Sequence, residues 1–228
     1  MKLVRIIDME RCIGCRACVA ACMNENYYIE GNPWNFVIEY ETGKFPSVRR
    51  IFVPMNCMHC EEPPCMKACD AIGVQAITKN EYGVVLIDYE KCIGCKYCIA
   101  VCPYGAPHYI RDVKPIFPDG DKTPYDEVPA ENRHWTHRKK PNTAEKCTFC
   151  WHRIEKAINE GKTDLIGKDP EYTPACDIVC PVKARYFGDL DNPESEVSKL
   201  IGSKKATQLK KEAGTRPQVY YILEGGDY

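Results

Sequence analysis

Long apolar runs are missing from this 228-residue chain. No stretch approaches the ~20 residues that a helix needs to cross a bilayer, and mean hydropathy is −0.42. No direct membrane span is therefore expected, and any membrane contact would go through a partner. A charge excess is missing as well. The chain has 31 basic and 32 acidic residues and a net charge of −1. That balance gives no field to draw in a polyanion, so nucleic acid is not an expected partner. The first cysteine stands at position 12, and with so short a segment ahead of it no secretory signal peptide is expected. Arg49-Arg50 is internal and does not read as a twin-arginine signal.

Cysteine is what the sequence has in excess, with 16 residues. A secreted disulfide scaffold is one source of such a number. Tight grouping argues against it, because cysteines two apart on a short loop are badly placed to bridge each other. The first group is Cys12, Cys15, Cys18 and Cys22; the second is Cys57, Cys60, Cys65 and Cys69. The third, Cys92, Cys95, Cys98 and Cys102 followed by Pro103, is the bacterial ferredoxin run in full. The fourth is split, with Cys147 and Cys150 separated from Cys176 and Cys180-Pro181. Four groups of four leave no cysteine over.

The spacing has a physical reason. A [4Fe–4S] cubane offers four irons, each wanting one thiolate. Three cysteines spaced by two residues lie on one loop, reach three irons of one cluster and aim backbone N–H groups at its sulfurs. The cysteine three residues later opens a helix that points away and ligates the neighbouring cluster. Gly14 and Gly94 stand at matching places in the first and third loops, where backbone close to a cofactor needs unusual φ/ψ. Zinc is the competing metal, since four thiolates suit it too. The split fourth group alone would make a zinc site, but the first and third follow ferredoxin spacing. Four [4Fe–4S] clusters are the expected cofactors.

Ferredoxin modules exchange their fourth cysteines in pairs. The gap from Cys69 to Cys92 is 22 residues and strand-rich, whereas pairing groups in order would need modules closed over gaps of 34 and 44 residues. The nested arrangement follows. Cluster A takes Cys12, Cys15, Cys18 and Cys180; cluster B takes Cys57, Cys60, Cys65 and Cys102. Cluster C takes Cys92, Cys95, Cys98 and Cys69; cluster D takes Cys147, Cys150, Cys176 and Cys22. The expected fold class is α+β: two bacterial-ferredoxin-like 2[4Fe–4S] modules, one nested in the other, with loop insertions and a C-terminal helical and strand extension. Residues 1–22 with 147–188 form the outer module and 57–102 the inner one. Residues 23–56 read as a hairpin and loop insertion, 103–146 as a loop insertion, and 189–228 as an extension that docks on a partner.

Smaller signals fill in the rest. Leu3–Asp8 and Gly83–Asp88 are apolar strands, each followed by Asp-x-x-x-Cys, which makes them an internal repeat. Val37–Tyr40 and Arg50–Val53 read as a hairpin. Asn192-Pro193-Glu194 opens a helix that ends at Gly202, Ser203 caps a second one running to Gly214, and Gln218–Ile222 is a strand. The stretch His134 to Lys140 reads as a solvated basic face ahead of a partner contact or a metal site. His59 and His152, beside Cys60 and Cys150, read as loop packing ahead of a hydrogen bond that tunes a cluster.

Several motifs carry a family resemblance. Cys12-Ile13-Gly14-Cys15-Arg16-Ala17-Cys18, Cys57-Met58-His59-Cys60-Glu61-Glu62-Pro63-Pro64-Cys65, Lys146-Cys147-Thr148-Phe149-Cys150 and Pro174-Ala175-Cys176-Asp177-Ile178-Val179-Cys180-Pro181 resemble the four-cluster subunit of the DMSO reductase family. So do Phe187-Gly188-Asp189-Leu190 and Gly214-Thr215-Arg216-Pro217. The resemblance implies a chain that is not an enzyme on its own. It would relay single electrons between a large molybdopterin catalytic subunit and a membrane quinol-oxidising subunit or other redox partner, with cluster A nearest the catalytic side. Some family members replace a ligand of the second group or lose a cluster; here every ligand position is cysteine. Arsenate respiratory reductase is the implied complex. A subunit of a transhydroxylase-type molybdenum enzyme and a freestanding polyferredoxin shuttle are the alternatives. The implied location is the periplasmic side of the membrane, reached by export with the catalytic partner, with the cytoplasm as the alternative.

Overall fold

The computed structural model describes residues 1–28, 31–113, 124–203 and 206–223. In chain order its elements are β1 (Leu3–Asp8), α1 (Ala17–Asn26), β2 (Asn35–Thr42), β3 (Arg49–Asn56), α2 (Pro64–Ala71), β4 (Ile77–Lys79), β5 (Val85–Ile87), α3 (Tyr97–Val101), β6 (His108–Ile110), α4 (Pro124–Glu127), β7 (Thr143–Glu145), α5 (Trp151–Asn159), α6 (Ala175–Ile178), β8 (Arg185–Asp189), α7 (Glu196–Ser203), β9 (Ala206–Thr207) and β10 (Val219–Ile222). The result is a mixed fold of short helices and strands that fits ferredoxin-type dicluster domains. Among the described residues no helix is long and apolar enough to cross a membrane.

Strand β1 is buried at all six positions, which is why its sequence is nearly continuous apolar residues instead of an alternation. It lies inside a sheet of order β8-β1-β10-β9, antiparallel to β8 and parallel to β10. Period-2 geometry then divides its side chains. Val4 and Ile6 pack with Val197 of α7 and Ile222 on one face. Leu3 and Ile7 enter the main core on the other, with Phe187, Val219 and Tyr221. Arg5 stands between Leu3 and Ile7 and so shares their side.

The other strands form pairs. β4 and β5 are antiparallel and frame a second core of Ile77, Val85, Ile87 and Ile110. β2 and β3 make the hairpin, with Ile38 opposite Val53 and Tyr40 opposite Ile51. The stretch 103–146 is not loop throughout, because β6 and β7 near its two ends pair with each other, His108 facing Glu145. Strands of three residues are too short to show a period, which hid them. The second C-terminal helix is also absent: the described residues of 203–214 form β9 against β10 and one 3₁₀ turn, Lys211–Ala213. The preceding helix is capped by Ser195, whose Oγ accepts from the Ser198 N–H at 3.2 Å. Asn192 makes a tighter local turn to the Glu194 N–H instead.

Candidate metal centres

The first two cysteines of each group, two residues apart, sit on a loop of the same shape. The residue just before the second cysteine has positive φ in all four loops: Gly14 at 67°, His59 at 43°, Gly94 at 67° and Phe149 at 55°. That twist turns a backbone N–H back onto the first cysteine. The Phe149 N–H reaches Cys147 Sγ at 3.4 Å, and Gly14 and His59 make the same bond to Cys12 and Cys57. Glycine adopts this conformation without steric cost, whereas His59 and Phe149 are held there by packing. Their rings lie against each other with centroids 3.8 Å apart. At Gly14 an added Cβ would overlap the Phe52 ring of β3, so glycine also lets the hairpin close over this loop.

The folded chain brings the sixteen cysteines together as four sets. Cys12, Cys15, Cys18 and Cys180 line one hollow, together with Val37, Pro54 and Arg185. Cys57, Cys60, Cys65 and Cys102 line a second, beside Tyr104 and Lys146. Cys98 faces Cys92, Cys95 and Cys69. Cys22 faces Cys147, Cys150 and Cys176. Among the described residues no three His, Cys, Asp or Glu side chains converge on a point that would hold a single ion. A zinc ion would draw four sulfurs to about 2.3 Å from one centre; sulfurs around a hollow fit a body of several atoms.

The donor chemistry agrees. Burial pushes the Cys98 thiol up to about 11 and those of Cys60, Cys65 and Cys176 up to about 12, and facing sulfurs add to the rise. Thiols held this way give up their protons only to a positively charged body bound among them. Donors are already turned toward the sulfurs: the Ala76 N–H to Cys69 at 3.2 Å, Ala144 to Cys92 at 3.4 Å and Ala184 to Cys180 at 3.2 Å. Asn26 Nδ2 lies between Cys22 at 3.5 Å and Cys150 at 3.7 Å. Such N–H···S bonds favour a negatively charged cluster.

The sets differ in exposure. Cys15 and Cys95 are exposed, whereas Cys22, Cys147, Cys150 and Cys176 are all buried. Fixed charge collects around the buried set. Asp177 accepts from Arg5 Nη2 at 2.7 Å and from Arg185 Nε at 3.0 Å, and the three side chains are 0 to 3% exposed. Arg5 Nη2 also donates to Cys176 Sγ at 3.3 Å, and its guanidinium covers the Phe149 ring at 4.6 Å. Burial works to lower the pKa of Arg5 and Arg185 but is outweighed by Asp177 and the sulfurs, so both stay charged. Lys146, buried beside the Cys57 set, donates to the Val85 and Cys147 carbonyls. Spacing rules for cysteine say nothing of these cations. Their signal was an arginine inside an otherwise apolar strand and a lysine directly before Cys147.

The stretch that opens at His134 departs from its sequence reading. His134 to Lys140 is not a solvated face: Thr136 and His137 are buried, and Lys139 is buried against Glu145 at 2.7 Å and over the Trp34 ring. A carboxylate and a ring supplied from elsewhere in the chain explain this, and local sequence cannot show them. Burial pushes His137 down to about 3, so it is neutral. His152 binds Glu25 at 2.6 Å. Burial raises Glu25, but His152 and Arg153 outweigh it and hold that carboxylate down to about 2. His59 Nδ1 accepts the Val85 N–H at 3.0 Å.

With this geometry in place, comparison with known proteins gives concordant matches. Residues 48–116 and 84–156 each match a family described as a 4Fe-4S dicluster domain, and residues 5–22 match a 4Fe-4S binding domain. The chain is 39% identical over 227 residues to a subunit of the selenate reductase of Mesobacillus selenatarsenatis, covering 97% of this chain and 72% of that one. It is 36% identical over 246 residues to the arsenate respiratory reductase iron–sulfur subunit of a Shewanella species, covering 99% and 98%. The iron–sulfur cluster-binding subunit of menaquinone reductase from Nitratidesulfovibrio vulgaris is 38% identical over 238 residues, covering 97% and 89%.

Proposed function

This chain belongs to the iron–sulfur electron-transfer subunits of molybdopterin oxidoreductases, and from that premise we propose how its residues arrange the transfer. Its dicluster domains and sixteen cysteines fit four [4Fe–4S] clusters. The ligand sets of our reading are Cys12/15/18/180, Cys22/147/150/176, Cys57/60/65/102 and Cys69/92/95/98, with the module of residues 57–102 nested in the outer one and the 189–228 extension docking on a partner. When bound, each cluster supplies a one-electron carrier. The chain's own work is to space the carriers, exclude water from the inner two and aim N–H groups at their sulfurs. No side chain makes or breaks a substrate bond in this reading, so the chain is not an enzyme by itself.

The observation that carries the proposal is the grouping of sixteen cysteines into four sets with two ends open. Arg185 lines the hollow of the Cys12 set and lies 3.6 Å from Cys176. His59 and Phe149 touch between the Cys57 and Cys147 loops. These contacts support a linear order running Cys12 set, Cys147 set, Cys57 set, Cys92 set. Exposed Cys15 and Cys95 then mark the two docking ends, the first for the molybdopterin subunit and the second for a quinol-side subunit. End-to-end coverage of the arsenate relative supports arsenate as the substrate of the complex, on the periplasmic side of the membrane.

Co-expression with a molybdopterin catalytic subunit from the same source tests this reading. Expected are co-purification, arsenate reduction with a viologen donor, and iron matching four cubanes per chain. In Cys180→Ser the EPR signal of the Cys12 set should change while that of the Cys147 set persists. Half the iron, or the reverse pattern in Cys180→Ser, overturns the ligand assignment. Purification without a partner overturns the subunit role in favour of a free shuttle.

A further inference from the structure

We propose that Arg5, Asp177 and Arg185 form a fixed cationic post that raises the reduction potential of the centre held by Cys22, Cys147, Cys150 and Cys176, and that Arg185 carries part of the effect to the Cys12 centre. The inference rests on the cluster reading above and concerns the side chains behind the ligands.

Charge comes first. Two guanidinium groups and one carboxylate leave one net positive charge, held in a place with almost no solvent. Adding an electron to a cluster adds a negative charge, and a nearby fixed cation in a low dielectric favours that step. Arginine does not lose its proton in proteins, so the post keeps its charge across the working pH range. Direct contact comes second. Arg5 and Arg185 donate to Cys176 Sγ at 3.3 and 3.6 Å, and hydrogen bonds to ligand sulfur raise potential further. Each guanidinium also has a buried Nη1 with no partner among the described residues. A buried N–H of a charged group is costly to leave unpaired, and an inorganic sulfide of the cluster is the acceptor class that would satisfy it.

The fold itself does not ask for these charges. The inner strand pair is built on the same plan. Asp8 N–H bonds the Ala184 carbonyl and Ala184 N–H bonds Cys180 Sγ; Asp88 N–H bonds the Ala76 carbonyl and Ala76 N–H bonds Cys69 Sγ. Ile7 pairs with Arg185 as Ile87 pairs with Ile77. Counting from these matched residues, the places of Arg5, Asp177 and Arg185 are taken by Val85, Met66 and Ile77. An apolar trio closes that pair, so a charged trio in the other has a use beyond closing it.

The test is an EPR-monitored redox titration of the complex carrying single variants, with iron content measured alongside. Arg5→Gln removes the net charge and should lower the reduction equilibrium constant of the Cys147 centre about tenfold, ~59 mV for a one-electron couple. Arg185→Gln should lower the Cys147 and Cys12 centres together. Asp177→Asn, nearly isosteric, leaves a net charge of two and should shift the Cys147 centre upward. All shifts should be the same at pH 6 and pH 8. A purely structural trio would disturb the site in one direction in every variant. Intact iron with an Asp177→Asn shift that is absent or downward overturns the inference. Wild-type protein without the Cys147-set signal would instead overturn the cluster reading on which it rests, so the two failures are separable. Should Arg5→Gln fail to accumulate, Asp177→Asn and Arg185→Gln still decide the sign.

Discussion

Strand pairs β1–β8 and β5–β4 share a register and a local hydrogen-bond plan but bury opposite chemistry. One closes over Arg5, Asp177 and Arg185, the other over Val85 and Ile77 with half-buried Met66 packed against them. The polar trio draws its stability from internal pairing, while the apolar trio draws it from area removed from water. The same backbone thus tolerates either solution, provided each is complete. A half-removed ion cluster is worse than none, because it leaves charge buried without a partner.

That comparison can be broken most sharply by truncation. Arg5→Ala opens a cavity beside Cys176 and leaves Asp177 with Arg185 as its one remaining guanidinium, and should destabilise by about 3–5 kcal/mol, the range for one lost member of a buried ion group. Val85→Ala at the matching place removes two methyl groups and should cost about 2 kcal/mol. Anaerobic unfolding midpoints of the two variants would rank them; an equal loss would mean that the charged trio is no more interdependent than the apolar one.

A smaller difference separates the end loops. Gly14 and Gly94 share a φ of 67°, and alanine in that region costs roughly 1–2 kcal/mol. At Gly14 the added methyl meets the Phe52 ring, which can turn, whereas at Gly94 it meets the Asn142 backbone carbonyl, which cannot. Iron analysis should therefore show Gly94→Ala losing more of its cluster than Gly14→Ala. The smallest change in stability is expected from exchanging the whole trio. Arg5→Val, Asp177→Met and Arg185→Ile combined should leave the unfolding midpoint within about 1–2 kcal/mol of wild type, since replacing complete buried ion groups by apolar ones is often neutral. A large loss would show that β1–β8 depends on its charges as β5–β4 does not.

Much of this site was legible before folding. Ligand spacing, the Asp-x-x-x-Cys repeat and the β2–β3 hairpin all act over a few residues, where sequence separation and spatial proximity agree. What escaped acts across the chain. Lys139 meets Glu145 and Trp34, and β6 finds β7 from 33 residues away, as between Ile110 and Thr143. Arg5 looks like a polar interruption of a strand until Asp177 is beside it. The second C-terminal helix failed for the opposite reason: local propensity over 203–214 was real, but pairing of β9 with β10 won.

Placement of β1 sets an order in time. Its partners β8 and β10 lie at residues 185–189 and 219–222, so β1 leaves the ribosome long before either of them. β4 and β5 need only residues 77–87. During synthesis the inner pair can close and gather its metal while Leu3–Asp8 is still an unpaired apolar segment, in need of shelter until β8 and β10 emerge.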